Sequence, residues 1–206
     1  MSTPLIIGIT GGSGSGKSSF LRDLRLRFTE EELCIVSLDD YYIPRNEQLK
    51  DDKGVTNFDR PGAVDLEAFY TDILTLREGK PVKRKEYTFN NDLKEARDLT
   101  FQPAPVIAIE GLYVFNDERI RGLTNYKIFI HARPVYKVIR RIKRDESQRN
   151  YPLEDVLYRY EKHVLPSFER DIARFKEDSD VVVNNNVSYD KGLDIITGFI
   201  KFQLHK

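Results

Sequence analysis

The sequence predicts an α/β fold in which a five-stranded, mostly parallel sheet carries helices on both faces. Short apolar runs alternate along the chain with longer amphipathic segments, and this alternation is typical of such sheets. The chain has 206 residues, which is enough for one domain with a sizeable core. We therefore expect a single domain over residues 1–206.

The runs and segments can be assigned in chain order. The runs that we interpret as buried strands are residues 5–9, 34–38, 106–109, 127–130 and 181–183. The segments that we interpret as helices are residues 18–28, 66–78, 134–149, 152–176 and 189–203. In the helix over residues 134–149, Val135, Val138, Ile139 and Ile142 recur at the i, i+3, i+4, i+7 spacing, which predicts that they form its buried face.

Two segments interrupt this alternation. Residues 42–61 form a long polar connection with little periodicity, and connections of that length usually carry function. Residues 81–105 contain the strand-like run VKRKEYTF, then Asn90-Asn91-Asp92, then DLTFQ. We interpret residues 81–105 as a small β-hairpin that leaves the main sheet.

Composition excludes several classes of protein. The 33 basic and 33 acidic residues balance, which argues against nucleic-acid binding. The single cysteine, Cys34, excludes an intrachain disulfide and fits a reducing compartment. No apolar run approaches the ~20 residues that span a membrane, and no secretory signal stands at the amino terminus. We expect a cytoplasmic protein that binds neither nucleic acid nor membrane.

The stretch GGSGSGKSSF, directly after the first predicted strand, fits the phosphate-binding pattern G-x-x-x-x-G-K-[ST]. In this pattern the backbone N–H groups of a loop without bulky side chains surround phosphate oxygens, and the following helix directs its N-terminal dipole at the same charge. The position between a strand and a helix distinguishes the pattern from a flexible Gly/Ser turn. The sequence therefore predicts a P-loop NTPase fold. The predicted nucleotide-binding residues are Gly11, Gly12, Ser13, Gly14, Ser15, Gly16, Lys17, Ser18 and Ser19.

Acidic residues follow two of the predicted strands. Asp39 and Asp40 come after the second strand, and Glu110 comes after the third. Ligands of an open α/β sheet bind outside the carboxyl ends of its strands, so these acids should lie near the phosphate loop. Asp39 or Asp40 could accept a proton from a substrate hydroxyl, and Glu110 could hold Mg²⁺ together with the Ser18 hydroxyl. A solvated or helix-capping carboxylate is the alternative for each.

A basic segment, RRIKRDESQR, lies on the helix over residues 134–149. Arg140 and Arg144 are one turn apart, as are Lys137 and Arg141, and both pairs flank the predicted apolar face. Basic side chains on a helix–turn segment can close over a transferring phosphoryl group, so we predict a helical lid at about residues 140–155. A solvated basic face that contacts nucleic acid is the alternative.

Several motifs together resemble the uridine kinase (uridine–cytidine kinase) family of P-loop kinases. In chain order they are GGSGSGKSS, SLDDYY, NFDRPGAVD, LREGKPVKRKEYTF, IEGLYVF, KIFIHA, RRIKRDESQR and DVVV. They cover nearly the whole chain, and NFDRPGAVD is more specific than the phosphate loop. The resemblance implies transfer of phosphate from ATP, or from GTP, to the 5′-hydroxyl of uridine or cytidine with Mg²⁺. It also implies a homo-oligomer.

The resemblance further implies roles in phosphoryl transfer. Asp39 matches the base that deprotonates the 5′-hydroxyl, with Asp40 as the alternative. Glu110 matches the second acid associated with Mg²⁺, so that the implied metal ligands are Ser18, Asp39 and Glu110. Lys17 and the lid arginines Arg144 and Arg149 would contact the phosphates.

The implied substrate-binding residues lie in the polar connection, the hairpin and the lid. They are Tyr42, Asp59, Tyr87, Phe89, Asp92 and Arg141. Asp59 matches the carboxylate that binds the ribose hydroxyls, and Arg141 matches an arginine near the sugar. Tyr87 and Phe89 match aromatic residues that pack on the base. The hairpin over residues 81–105 would thus bind the acceptor.

The chain departs from the family pattern on the acceptor side and in the lid. Arg60 stands where the family usually has histidine after NFD, and Asp92 and Lys94 stand where it has a base-reading histidine and an arginine. Tyr151 replaces a lid arginine, and Arg159 replaces a glutamine. A site that hydrogen-bonds one edge of a base rejects ligands that lack it, so these changes could alter the substrate.

Three hypotheses follow for the function. The first is a kinase for uridine or cytidine. The second is a related kinase for another hydroxyl compound, such as a sugar phosphate, pantothenate or glycerate. The third is a nucleotide-dependent switch or ATPase, which is disfavoured because the sequence has no N-K-x-D guanine-reading tetrad.

Overall fold

The computed structural model describes residues 3–88, 95–149 and 151–206, and for residues 148 and 149 it describes the backbone. The seven described strands are β1 (Leu5–Thr10), β2 (Leu33–Ser37), β3 (Val82–Lys85), β4 (Asp98–Phe101), β5 (Val106–Glu110), β6 (Tyr126–His131) and β7 (Val181–Asn184). Five of them form one sheet in the order β2-β5-β1-β6-β7, and every neighbouring pair is parallel. The predicted fold class and its five main strands are confirmed.

Both faces of this sheet are buried, which explains why its strands are apolar runs rather than alternating patterns. Along β1, Ile6 belongs to one hydrophobic cluster, while Ile7 and Ile9 belong to the cluster on the opposite face. The same alternation holds along β5, where Ile107 and Ile109 face the first cluster. The parallel register aligns the strand ends and brings the predicted site residues at the ends of β1, β2 and β5 to one edge.

Helices cover both faces. They are α1 (Lys17–Arg25), α2 (Leu66–Arg77), α3 (Glu118–Leu123), α4 (Pro134–Arg149), α5 (Leu153–Arg159), α6 (Leu165–Ser167) and α7 (Asp190–Leu204). The sequence analysis did not predict α3. This helix has only six residues and begins where the Asp117 carboxylate accepts the N–H groups of Arg119 and Ile120.

The predicted helix over residues 152–176 is a helical run that changes its hydrogen-bonding pattern several times. After α5 it passes through a π-helical turn at Tyr160–Val164, then α6, and then a second π-helical turn at Phe168–Ile172. It ends in a 3-10 turn at Ala173–Lys176. π-Helical turns are frequent at functional sites because they reposition side chains along a helix.

The face of α4 that is buried differs from the predicted one. Val135 and Ile139 are 57% and 44% exposed, whereas Lys137, Arg141 and Asp145 are buried. The i, i+4, i+8 spacing of the buried residues defines a charged face. The helix packs this charged face over the edge of the sheet where the strands end, rather than packing an apolar face on the core. Val138 and Ile142 are half-buried, so the prediction that the four apolar side chains form the buried face of this helix was wrong.

The remaining two strands form the predicted hairpin. β3 pairs antiparallel with β4, with Val82 opposite Phe101 and Lys85 opposite Asp98. Val82 is buried in the first hydrophobic cluster and fixes the base of the hairpin. Among the described residues, no helix is both long and apolar enough to cross a membrane.

Candidate active site

The glycine-rich loop joins the end of β1 to the start of α1, and three of its glycines, Gly11, Gly14 and Gly16, have positive φ angles that a side chain would disfavour. Gly14 and Gly16 have φ angles of 76° and 98°. A Cβ atom at Gly14 would overlap the backbone carbonyl of Lys137, and one at Gly16 would overlap the Asn185 side chain. The loop therefore packs tightly against α4 on one side and against the end of β7 on the other.

Hydrogen bonds hold the loop in this curled form. The Ser15 N–H donates to the Gly12 carbonyl at 3.0 Å, and Asn185 Nδ2 donates to the Ser15 carbonyl at 2.8 Å. Among the described residues, the buried Ser15 hydroxyl has no hydrogen-bond partner. Ser18 is exposed and Ser19 half-buried in the first turn of α1, so the Ser18 hydroxyl is free to reach a ligand.

Lys17 is buried at the centre of the loop. Its Nζ donates to the Gly11 carbonyl at 2.9 Å and lies 3.5 Å from the Gly12 carbonyl. Burial lowers the pKa of Lys17, and the negative charges of Glu110 and Asp39 partly offset that effect. Lys17 is thus close enough to Glu110 and Asp39 for their charges to act on its pKa.

Glu110 is at the carboxyl end of β5, directly opposite Ser37 of β2 in the sheet. Its Oε1 accepts a hydrogen bond from Ser37 Oγ at 3.0 Å, while its buried Oε2 has no partner among the described residues. Burial, followed by the negative charge of Asp39, raises the pKa of Glu110 to about 7. An unpartnered buried carboxylate oxygen of this kind suits a cation.

The neighbouring residues Asp39 and Asp40 have different surroundings. Both lie in a 3-10 turn at Leu38–Tyr41, and the Asp39 N–H donates to Ser37 Oγ at 3.2 Å. The Asp40 carboxylate accepts the Tyr87 N–H at 3.3 Å, so it binds the hairpin rather than the loop. Burial raises the pKa of Asp40. The charge of Asp39 acts on the loop lysine Lys17, and it raises the pKa of Glu110 more than the charge of Asp40 does, so Asp39 is the better placed of the two to meet a phosphate.

Arg141 connects the phosphate loop with the polar connection. Its Nη1 donates to Ser13 Oγ at 2.8 Å and lies 3.6 Å from Asp59 Oδ1. Its Nε lies 3.2 Å from Asp145 Oδ2, and both side chains are buried. Arg144 forms an ion pair with Asp145 at 2.8 Å, and its positive charge helps to lower the pKa of Lys17.

A cleft of about 720 Å³ opens beside this cluster. Its lining residues are Tyr42, Pro44, Arg45, Asn46, Lys50, Gly54, Thr56 and Tyr87. The rings of Tyr42 and Tyr87 lie 5.4 Å apart, and the Phe58 ring is 6.0 Å from Tyr42. The cleft is large enough for a drug-sized ligand with an aromatic part. Predicted residues Phe89 and Asp92 and the side chain of Arg149 lie outside the described part of the chain.

The wall of the cleft is attached to the helical run over residues 153–176, a connection that the sequence analysis missed. Asp51 Oδ2 accepts from the Tyr158 hydroxyl at 2.8 Å and lies 2.8 Å from His163 Nε2. Arg159 Nη1 donates to the Thr56 carbonyl at 2.8 Å. Burial opposes the charge on Asp51, but the hydrogen bonds of its carboxylate with the Val55 N–H, Tyr158 and His163 outweigh that effect and lower the pKa of Asp51 to about 2. No local motif marks such contacts, because the partners are more than 100 residues apart.

Within the described residues, no group of three or more His, Cys, Asp or Glu side chains could hold a metal ion. Glu110, Asp39 and the Ser18 hydroxyl nevertheless supply the oxygen ligands that Mg²⁺ prefers. Mg²⁺ is commonly bound by one or two carboxylates together with substrate phosphates. The donor set and the orphaned Glu110 oxygen therefore fit a magnesium ion that arrives with a nucleotide.

Comparisons of the whole chain agree with this geometry. A sequence model of the phosphoribulokinase/uridine kinase family matches residues 6–190. The chain is 32% identical over 193 residues to a uridine kinase of Streptococcus agalactiae, covering 94% of this chain and 92% of that protein. It is also 32% identical over 194 residues to a uridine kinase of Streptococcus pneumoniae, with the same coverage.

Solved structures with the same fold include other kinases. D-glycerate 3-kinase from Cryptococcus neoformans matches with a TM-score of 0.58 and 16% identity, over 82% of this chain and 79% of that chain. Phosphoribulokinase from Rhodobacter spheroides matches with a TM-score of 0.54 and 19% identity, over 83% and 69% of the two chains. At these identities the likeness concerns the fold.

Proposed function

The chain belongs to the phosphoribulokinase/uridine kinase family, and on that premise we propose that it transfers the γ-phosphoryl group of ATP to the 5′-hydroxyl of uridine or cytidine. Membership of this family makes it a phosphotransferase with a hydroxyl acceptor. The finer assignment of donor, metal and acceptor is the proposal.

The observation that carries the proposal is the meeting of three features at one edge of the sheet. A tightly packed glycine-rich loop with a buried lysine lies beside two carboxylates, Asp39 and Glu110, and an aromatic-lined cleft opens next to them. A kinase needs these parts together, since it must hold a triphosphate and orient an alcohol toward its terminal phosphorus.

On the donor side, the N–H groups of the loop and of the first turn of α1 bind the phosphate oxygens. Lys17 leaves its carbonyl partners and pairs with the β- and γ-phosphates. Ser18, Asp39 and Glu110 would hold Mg²⁺, which when bound would neutralise charge on the phosphates. Arg144, which is half-buried beside Asp145 on α4, contacts the phosphoryl group during transfer.

On the acceptor side, Asp39 accepts the proton of the attacking hydroxyl. Asp59, held by Arg141, binds the sugar hydroxyls, and Tyr42 and Tyr87 flank the base. Arg141 also touches Ser13 of the phosphate loop, so one side chain fixes the distance between the two substrates.

The experiment that tests the proposal is ADP release from MgATP across a panel of acceptors. We expect ADP release that depends on uridine or cytidine, with little release in water alone. A switch or ATPase would hydrolyse MgATP without any acceptor. Release only with a sugar, a sugar phosphate, pantothenate or glycerate would exclude the nucleoside assignment.

One observation favours a second acceptor class. Arg45 and Lys50 line the cleft, and none of its lining residues in the described chain is acidic. A cationic cleft suits an acceptor with a phosphate or carboxylate group, so the panel includes such compounds at the same concentrations as the nucleosides.

A further inference from the structure

Lys137, in the first turn of α4, is a buried cation that neither the resemblance nor the proposed mechanism uses. The residue is 6% exposed. Its Nζ lies 3.5 Å from the centroid of the Phe168 ring, a cation–π contact with the second π-helical turn. The backbone of the same residue lies against Gly14, so that the whole of Lys137 is pressed onto the phosphate loop.

The head group of Lys137 points to the same part of the loop as that of Lys17. A Cβ atom built on Gly12 would lie 3.1 Å from Lys137 Nζ, and Lys17 Nζ is 3.5 Å from the Gly12 carbonyl. Two buried ammonium groups thus converge on Gly12. Like charges in such proximity repel each other, and burial increases the repulsion.

Within the described part of the chain, Lys137 has no carboxylate partner. Among the described residues, no carboxylate lies within 4.0 Å of its Nζ, whereas Arg141 and Arg144 of the same helix are paired with Asp145. Burial, together with the charge of Lys17, lowers the pKa of Lys137 to about 8. Buried charges are normally paired, so a buried lysine without a described carboxylate neighbour is suited to binding an anionic ligand.

We propose that Lys137 is a second phosphate-binding lysine, which contacts the terminal phosphates of the nucleotide jointly with Lys17. The inference rests on the proposed function, because it requires a nucleoside triphosphate in the loop. Phe168 holds the ammonium group in place until the phosphate arrives, and the glycine at position 12 leaves the space between loop and lysine open. On this proposal, the buried position of Lys137 on α4 places a cation beside the phosphates of the nucleotide.

A merely structural lysine would behave differently from a ligand-binding one when it is replaced by methionine. Methionine matches the length of the stem and removes a buried charge that no carboxylate of the described residues neutralises. We therefore expect Lys137→Met to raise the melting temperature of the protein without nucleotide. In contrast, its affinity for MgATP should fall by roughly 10- to 100-fold, the effect of one charge-assisted hydrogen bond.

The test is calorimetric titration of MgATP into the full chain without an acceptor, with the melting temperature measured on the same samples. The matched control is Lys143→Met, an exposed lysine on the same helix, which should change neither quantity. Lys137→Arg keeps a cation and should recover part of the affinity. The result that overturns the inference is MgATP affinity within threefold of the Lys143→Met control, or a Lys137→Met variant whose nucleotide-free protein melts lower than the wild type.

The outcome separates this inference from the proposed function. If MgATP binds to the wild type and not to Lys137→Met, but uridine and cytidine are not phosphorylated, the inference holds and the acceptor assignment fails. If nucleosides are phosphorylated and Lys137→Met binds MgATP normally, only the inference fails. Absence of MgATP binding to the wild type overturns both.

Discussion

Replacement of Glu110 by glutamine should stabilise the protein while abolishing its activity. Glu110 is 2% exposed, and burial raises its pKa from 4.5 to about 7. Each unit of pKa difference between folded and unfolded states corresponds to about 1.4 kcal/mol, so ionising Glu110 above pH 7 lowers the free energy of unfolding by about 3 kcal/mol. Glutamine keeps the Oε1 that accepts from Ser37 and carries no charge.

The sign of the pH dependence follows from the direction of the shift. A carboxyl group whose pKa is raised on folding binds more protons in the folded state, so the stability of the wild type should fall as the pH rises from about 4.5 to about 7. The advantage of Glu110→Gln should therefore be about 1 kcal/mol at pH 5 and about 3 kcal/mol at pH 8.

Urea unfolding at pH 5 and pH 8, with EDTA and without nucleotide, measures this difference. At pH 8 the midpoint of the variant should lie about 1 M higher than that of the wild type. Glu177→Gln, at an exposed position, is the control and should show no such shift. An advantage of Glu110→Gln that is the same at both pH values would refute the reasoning, because the effect would then not come from ionisation.

Three further predictions test other parts of the site. Asp39→Asn should lower turnover by roughly 10²- to 10⁴-fold in steady-state assays. Asp40→Asn, which perturbs the contact with the hairpin, should act mainly on the KM of the acceptor. The opposite pattern would exchange the roles of the two aspartates. Gly14→Ala should destabilise the fold by about 1–3 kcal/mol more than Gly54→Ala in urea unfolding. Both glycines have a φ angle of 76°, but of the two only Gly14 has backbone atoms where a Cβ would lie, so equal effects would contradict the packing described. Asp51→Asn should raise the KM of the acceptor several-fold and leave the KM of MgATP unchanged, because Asp51 connects the wall of the cleft to the helical run by hydrogen bonds. An equal rise in both KM values would argue against that role.

The parts of the fold that depend on local pattern could be predicted from the sequence. The five strands and the phosphate loop belong to this class, because buried parallel strands are apolar runs and the loop needs glycine at positions such as Gly14 and Gly16. The convergence of Asp39 and Glu110 could also be predicted, since carboxyl ends of parallel strands share one edge.

Features that depend on tertiary contacts could not be predicted. Periodicity on α4 marks two faces, but it does not say that the charged face with Lys137 and Arg141 is buried and that Val135 and Ile139 are exposed. Asp39 and Asp40 are adjacent in one turn, and only the contact of Asp40 with Tyr87 separates their surroundings.

The central claim is that Asp39 directs an acceptor hydroxyl at a triphosphate held by the loop, and identification of the product tests it most directly. After incubation with MgATP and uridine or cytidine, mass spectrometry and ³¹P NMR should show a nucleoside monophosphate that carries its phosphate on the 5′ oxygen. Asp39→Asn should bind MgATP normally and form almost none of it. Absence of a 5′-phosphorylated nucleoside with the wild type, or undiminished formation by Asp39→Asn, would contradict the account.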